Sequence, residues 1–437
     1  AFLIRTELAA IDDHVRVLGQ RAAAHLSAAG RRALARGDLP AAANLLRRAA
    51  ALLPHDDPVA LSHLIDVGEA LLELGDFSQA DDVLSRIIDR ADGLGEVGLA
   101  YTARLSRLRL HYETEGEETD GQVLREVADA ISILEPLEHQ EGLIRAWWLL
   151  TLVHWTNGRY GEAESAAERM IHHARHAGDR VLEARLIPAL VTCSLYGPTP
   201  VPEAITRAET LLEETGGDRK AEALIACSIA HLEAMRGDFE QARSLYRKSR
   251  AIFEEFGWKL QAALTSIDSG PIEILAGDLD RAVEELRRDH ETLDEMGEQN
   301  YISTTAAFLA EALYRQGKLD EAEGYTVLSE KVAASDDVSS QFLWRSVRAR
   351  ILARRGDLED GEVLARAALD IIRTSDEPDS QGDGLLTLAE VLELSGRPAE
   401  AATAARGALE LFEAKGNVIS AARSRQVLED LAQRLPR

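Results

Sequence analysis

Glycine returns at a fixed interval through most of this chain, and that interval limits what the chain can fold into. Gly237, Gly277, Gly317, Gly356 and Gly396 are separated by 40, 40, 39 and 40 residues. Gly37, Gly75 and Gly158 carry the series upstream. The two wide gaps close if degenerate turns stand at Gly116 and Gly197, which gives about ten units. A period of this size means that each unit buries its apolar face only against its neighbours. A chain of 437 residues exceeds what one globular core spans, and growth in one dimension escapes that limit.

The first unit shows why each repeat folds. Gly37-Asp38-Leu39-Pro40 separates two helical patterns. The glycine frees the backbone at a helix end, Asp38 caps the next helix, and Leu39 begins that helix's apolar face. A small residue stands five positions after the turn glycine: Ala42, Ala80, Gly121, Ala163, Ala242, Ala282, Ala322, Gly361 and Ala401. Another stands seven before it: Gly30, Gly68, Thr151, Ala230, Gly270, Ala310, Ala349 or Ala389, with Arg109 and Leu190 as exceptions beside the weak turns. Small side chains at both places let paired helices approach closely. Aromatics are only 5% of the chain, so the core is built from Ala and Leu, both strong helix formers. The expected fold is all-α, about ten helix-turn-helix repeats and no sheet, least regular around Gly116 and Gly197. Pro188 and Pro271 fall inside first helices, as static kinks that adjust curvature or as hinges between half-arrays.

Net charge is −26, unevenly spread. Residues 1–54 hold eight Arg against Glu7, Asp12, Asp13 and Asp38, a net of +4 that leaves −30 for the rest. So acidic a body speaks against nucleic acid and anionic membrane as partners. Cys193 and Cys227 are two isolated thiols rather than a disulfide framework, which points to a reducing compartment. No apolar run approaches the roughly 18 residues of a membrane span. Only six cations are Lys, the rest Arg, a pattern of high-GC bacterial coding.

Candidate chemistry is sparse. Gly93-Leu-Gly95-Glu-Val-Gly98 spells a dinucleotide fingerprint, but a helical pattern precedes it where that chemistry needs a strand. His172 and His176 share a helix face as a zinc pair would, beside His173, without a third ligand. Paired acids such as Glu213-Glu214 read as wet helix faces. No nucleophile motif, cofactor or metal site is expected, and the chain is read as non-catalytic.

The repeat residues resemble the tetratricopeptide repeat: residues 23–56 follow its 34-residue pattern, and later units run about six residues longer. That variant is similar to the C-terminal repeat regions of bacterial signalling ATPase regulators, namely LuxR-type activators and cyclase–ATPase–repeat fusions. The stretch from Leu18 to Pro54 resembles the start of the array in the latter. The resemblance implies a right-handed α-solenoid over residues 18–416. Residues 1–17 would be a linker or half-helix from an upstream domain of the same polypeptide, and 417–437 a capping helix with Arg423, Arg425, Glu429, Asp430 and Arg434 on its wet side. It implies a cytoplasmic protein- or peptide-binding scaffold, or sensory segment, of a larger bacterial signalling or transcription-regulatory protein. The alternative is a small-molecule inducer sensor using the concave groove.

Steps of three and four residues away from the packing stripe mark the inner face of each first helix. Those steps put Arg145, Trp148 and Trp155 there in one unit, His231 in another, Tyr314 with Arg315 in a third and Arg350 in a fourth. Trp, Tyr and Arg are typical binding anchors, so these seven are the candidate groove residues. Trp148 and Trp155 have an equally simple reading as core filling.

Overall fold

The computed structural model describes residues 13–74, 76–114, 120–296, 300–335 and 337–434. Among them the regular structure is helical and no strand occurs. The helices, in chain order, begin with α1 (Asp13–Ala35), α2 (Leu39–Ala50), α3 (Pro58–Glu73), α4 (Phe77–Leu94), α5 (Val97–Thr114), α6 (Asp120–Leu134), α7 (Gln140–Thr156) and α8 (Tyr160–His176). There follow α9 (Arg180–Leu186), α10 (Pro188–Tyr196), α11 (Val201–Glu214), α12 (Arg219–Arg236), α13 (Phe239–Glu255), α14 (Lys259–Ala276) and α15 (Leu279–Met296). The last are α16 (Asn300–Arg315), α17 (Leu319–Val332), α18 (Val338–Arg355), α19 (Leu358–Ile372), α20 (Pro378–Leu394), α21 (Pro398–Lys415) and α22 (Val418–Arg434).

The periodic glycines do what the spacing requires. Gly37, Gly158, Gly237, Gly277, Gly317, Gly356 and Gly396 all sit at φ between 64° and 100°, the left-handed region that ends a helix without a Cβ clash. Gly75 and Gly116 lie outside the described residues. Gly197 departs from the pattern: its φ is −72° and its ψ −174°, so this turn is extended. The aspartates after two of the turns, Asp38 and Asp238, cap the second helices of their hairpins. Asp38 accepts the Ala41 N–H at 3.1 Å and Asp238 the Gln241 N–H at 3.1 Å.

The small-residue positions are contact points between paired helices. Ala42, Ala80, Ala163, Ala242, Ala282, Ala322 and Ala401 are fully buried, whereas Gly121 is exposed. At the other position a Cβ on Gly30, Gly68 or Gly270 would stand 2.7–2.8 Å from Leu46, Leu84 or Leu286 respectively, closer than carbon atoms pack. Each of those leucines lies sixteen residues downstream of its glycine, so one register serves three hairpins.

Two expectations need correction. Pro188 does not kink a helix but opens one: α9 ends at Leu186 and Pro188 is the first residue of α10. Proline suits that place because a first-turn N–H has no helical acceptor anyway. Pro271, by contrast, lies inside α14, which continues through it. At the N-terminus α1 runs unbroken across residues 17 and 18, so no boundary falls there; residues 1–12 lie outside the described part.

The described chain divides into two compact units. The first holds residues up to Leu150 plus Arg169–Val181, and the second Thr151–Glu168 plus Leu182 onward. The second unit closes on itself. Asp376, at the end of the α19–α20 loop, accepts the Tyr160 N–H at 2.7 Å and the Gly161 N–H at 2.8 Å, and so caps α8. The Lys415 ammonium, fully buried, donates to the carbonyls of Ser194 at 3.0 Å, Gly197 at 2.6 Å and Thr199 at 2.8 Å. Helix α22 touches α12, and a Cβ on Gly237 would lie 3.2 Å from Ile419. The terminal helix is therefore no free cap. It packs on α21 and also completes this closure.

Candidate binding surface

In the first unit the inner faces of α3, α5 and α7 carry charges that satisfy one another. Arg145 reaches Asp66 and Glu69 at 3.2 Å and Glu141 at 3.0 Å. Arg109 shares Glu69 at 3.2 Å, and its guanidinium stands 6.0 Å from the centre of the Trp148 ring. Burial and the adjacent Glu141 carboxylate raise the Asp66 carboxyl to about 6, against the pull of Arg145. Arg145 is thus held by carboxylates of its own unit, and Trp148 is half-buried. A crevice of about 420 Å³ opens between α1 and α3, lined by Ala23, Ala24, Ser27, Ala28, Arg31 and His63. Burial and Arg31 lower the His63 imidazole's affinity for a proton.

The second unit has the richer inner wall. Its key register lies six residues before the turn glycines Gly237, Gly317, Gly356 and Gly396, at His231, Glu311, Arg350 and Glu390, while Pro271 holds that place before Gly277. Glu311, Arg350 and Glu390 come from three successive hairpins and build one polar network, from which His231 stands apart. Arg350 pairs with the Glu311 carboxylate, donates from Nε to the Ser346 carbonyl at 3.0 Å, and lies 4.6 Å over the Tyr314 ring. Arg315 donates from Nε to the same Glu311 at 2.6 Å. Two guanidiniums hold Glu311 well below the usual carboxylate range in spite of its burial. The Tyr314 hydroxyl donates to Glu390 at 2.5 Å, and Arg354 donates to the same Glu390 oxygen at 2.7 Å.

Beside this network stand aromatic and acidic groups. Tyr160 and Tyr196 stack at 5.5 Å, and His231 meets the edge of Tyr196 at 6.1 Å. The His231 Nδ1 is 3.9 Å from Asp268. Glu377 and Asp379 sit at the start of α20, where burial raises both carboxyls, Glu377 to about 7. Trp155 is half-buried and its indole N–H points at the Cys193 sulfur, 3.1 Å away. Burial pushes the Cys193 thiol up to about 12 and the Cys227 thiol higher still.

The inner-face residues expected from sequence therefore separate into kinds. His231, Arg315 and Arg350 join the polar wall of the second unit. Tyr314 is there too, but buried, its ring under Arg350 and Arg354 and its hydroxyl on Glu390, so it is not a presented anchor. Arg145 and Trp148 belong to the first unit and Trp155 to the second. Sequence reasoning missed Glu390, which shares the register of Glu311 and Arg350 and was legible by that rule. It also missed Asp268, Asp383 and Tyr196. Arg423, expected on the wet side of the last helix, keeps 37% of its side chain exposed and lies 3.6 Å from Asp383 Oδ1. The histidines at 172 and 176 have their rings 5.7 Å apart, and His173 Nδ1 lies 2.9 Å from the Gln140 side-chain oxygen. Among the described residues no group of three or more His, Cys, Asp or Glu is arranged to hold a metal ion.

Paired helices, left-handed turn glycines and small contact residues at one register leave one repeat type to compare. Models of the tetratricopeptide repeat match residues 33–97 and, separately, 144–169, 304–324, 344–367 and 383–406. The chain carries tetratricopeptide repeats. No curated protein matches it by sequence. Among solved structures, the tetratricopeptide array is similar to a Rap protein complexed with Competence and Sporulation Factor, at 12% identity and a TM-score of 0.51, over 86% of this chain and 98% of that one. The apo quorum sensor NprR from B. thuringiensis matches at 13% identity and a TM-score of 0.46, over 80% and 98%. A signal transduction ATPase with a tetratricopeptide repeat sensor, from Pyrococcus horikoshii, matches at 14% identity and a TM-score of 0.38, over 76% of this chain and 52% of that one. At such identities the likeness concerns the fold. Among the described residues no helix is long and apolar enough to cross a membrane.

Proposed function

We propose that this repeat array is a non-catalytic recognition segment that binds a peptide or a short protein segment on the inner wall of its second unit. It would serve as the scaffold or sensor of a larger bacterial signalling or transcription-regulatory protein. One observation carries the reading: three successive hairpins contribute Glu311, Arg350 and Glu390 at one register, and ion pairs and hydrogen bonds fix them before any ligand arrives. Preorganised polar groups beside aromatic rings suit binding, because less side-chain entropy is lost when the ligand docks. The fold shared with a Rap protein captured with Competence and Sporulation Factor is in keeping with a bound ligand.

The closure of the second unit favours a second reading. A wall that returns on itself encloses a small ligand better than a long one, so a small-molecule inducer is the alternative. The test is affinity capture on the immobilised full chain, with peptides and metabolites both identified by mass spectrometry. A retained peptide displaced by no small molecule supports the first reading. A metabolite carried through purification, with no peptide retained, replaces it with the second.

A further inference from the structure

The crevice between α1 and α3 owes its room to two small residues. Ala24 and Ala28 lie thirteen and nine positions before the turn glycine Gly37. In later hairpins the same two registers hold Leu264 and Asp268, Thr304 and Phe308, and Leu343 and Val347. On α1 these side chains end at Cβ, and about 420 Å³ stays open beside α3.

Ala23, Ser27, Leu53 and His63 form the buried floor of this crevice, and Ala24, Ala28 and Val59 an exposed apolar rim. His63 is the unusual member. It is 3% exposed, and its Nδ1 is shut off from water without a hydrogen-bond partner among the described residues. A buried polar atom left unmatched costs stability, and Phe or Leu would pack the same place without that cost, so packing alone does not account for a histidine here. Burial and Arg31 keep the imidazole from taking up a proton, so the ring is neutral, with one N–H and one bare nitrogen. A lone pair is less costly to leave unmatched than an N–H, which assigns the bare nitrogen to Nδ1 and the proton to Nε2. Nε2 is the nitrogen left to serve a ligand, and the Ser27 hydroxyl stands on the same floor.

We propose that this crevice binds a small uncharged molecule with an aliphatic body and one carbonyl oxygen, held by His63 Nε2 and the Ser27 hydroxyl. A carbonyl oxygen has two lone pairs to match the two donors. Ala23, Leu53 and the rim take the aliphatic part, in a volume ordinary for small-molecule sites. Charged ligands are selected against. A carboxylate would be buried on neutral donors, with Asp57 and Glu141 acting on the same imidazole. Those two acids are themselves engaged, Asp57 by the Val59 N–H at 2.9 Å and Glu141 by Arg145 at 3.0 Å, so neither is left to draw in a cation. Arg31 is exposed at the rim, where water and salt screen it. The site lies in the first unit and goes beyond the peptide reading, which concerns the second, so either can fail without the other.

The full chain, carrying isotope-labelled histidine, is titrated with hexanamide, hexanoate and hexylamine and followed by nitrogen NMR. The His63 signals are assigned by their loss in His63→Phe. Hexanamide shifts them saturably, with a Kd on the order of millimolar for so small a ligand. Hexanoate and hexylamine bind at least about ten-fold more weakly. Ligand-observed saturation transfer reads binding in the variants. Ala28→Trp fills the mouth from an exposed position and abolishes binding. His63→Phe weakens it about three- to ten-fold, the scale of one neutral hydrogen bond, and raises the Tm of the free protein because no unmatched nitrogen remains. A packing role for His63 would lower that Tm instead. No saturable shift of the His63 signals, or hexanamide binding that persists in Ala28→Trp, overturns the site. Undiminished binding with a lowered Tm in His63→Phe overturns the role of the imidazole as donor. Hexanoate binding as tight as that of hexanamide overturns the uncharged class.

Discussion

The Lys415 ammonium donates a 2.6 Å hydrogen bond to the carbonyl of Gly197, a residue 218 positions earlier in the chain. The same ammonium bonds the Ser194 and Thr199 carbonyls and has no exposed surface. Asp376, Glu377 and Asp379 favour its charge, while burial pulls it down to about 8. Replacing it strands buried carbonyls, each at about 1–3 kcal/mol. Lys415→Met is therefore expected to cost about 3 kcal/mol in urea titration, and to raise amide exchange around residues 194–204 before other helices open. A loss below about 1 kcal/mol, with unchanged exchange there, would show that the seam does not depend on this residue.

Glycines in these helices are not equivalent. Gly382 faces Phe412, whose Cζ would lie 2.5 Å from an added Cβ, and a ring cannot yield as a flexible tip can. Gly324 has nothing within 4 Å. Gly382→Ala should destabilise by about 1–3 kcal/mol through overpacking. Gly324→Ala should stabilise by up to about 1 kcal/mol, since Ala is the better helix former. Calorimetric Tm values moving in the same direction for both would refute the packing argument.

Glu377 gives the second unit a pH dependence with a definite sign. Its folded carboxyl is raised from 4.5 to about 7, chiefly by burial, and its Oε2 has no hydrogen-bond partner. Between those values the folded state binds the proton more tightly than the unfolded one. The contribution to stability is present below pH 4.5 and is lost as pH rises through 7. Glu377→Gln should remove this slope and stabilise the protein at pH 8 relative to wild type, by up to about 3 kcal/mol. Parallel stability curves for the two proteins from pH 5 to 8 would rule the assignment out.

Both cysteines are buried and their thiols are held in the protonated form. Thiolate is the reactive species, so the native chain should consume almost no alkylating reagent at pH 8 over minutes and two equivalents after denaturation. Rapid labelling of Cys193 in the native state would mean that the contact with Trp155 opens readily.

Much of the architecture was legible because it rests on local rules. A left-handed turn needs Gly, and a close helix pair needs Gly or Ala, so Gly237, Gly277, Gly317, Gly356 and Gly396 with their small partners declare the hairpins directly. The irregular turn at Gly197 was legible for the same reason, from the missing residues around it. Contacts between distant hairpins follow no local rule. Nothing adjacent to Lys415 in sequence announces that its amine will meet three carbonyls near residue 197. Helical spacing singles out Arg350, yet it could not show that Glu311 would already occupy its guanidinium.

The closure also bears on how such a segment can change in length. An open stack of repeats accepts one more or one fewer hairpin at little cost, since each touches only its neighbours. Here Asp376 must reach the start of α8 and Lys415 the loop before α11. Duplicating or deleting a single hairpin between them would carry both residues out of register at once. The second unit has a fixed circumference, and its variation is confined to substitutions on a wall of constant size.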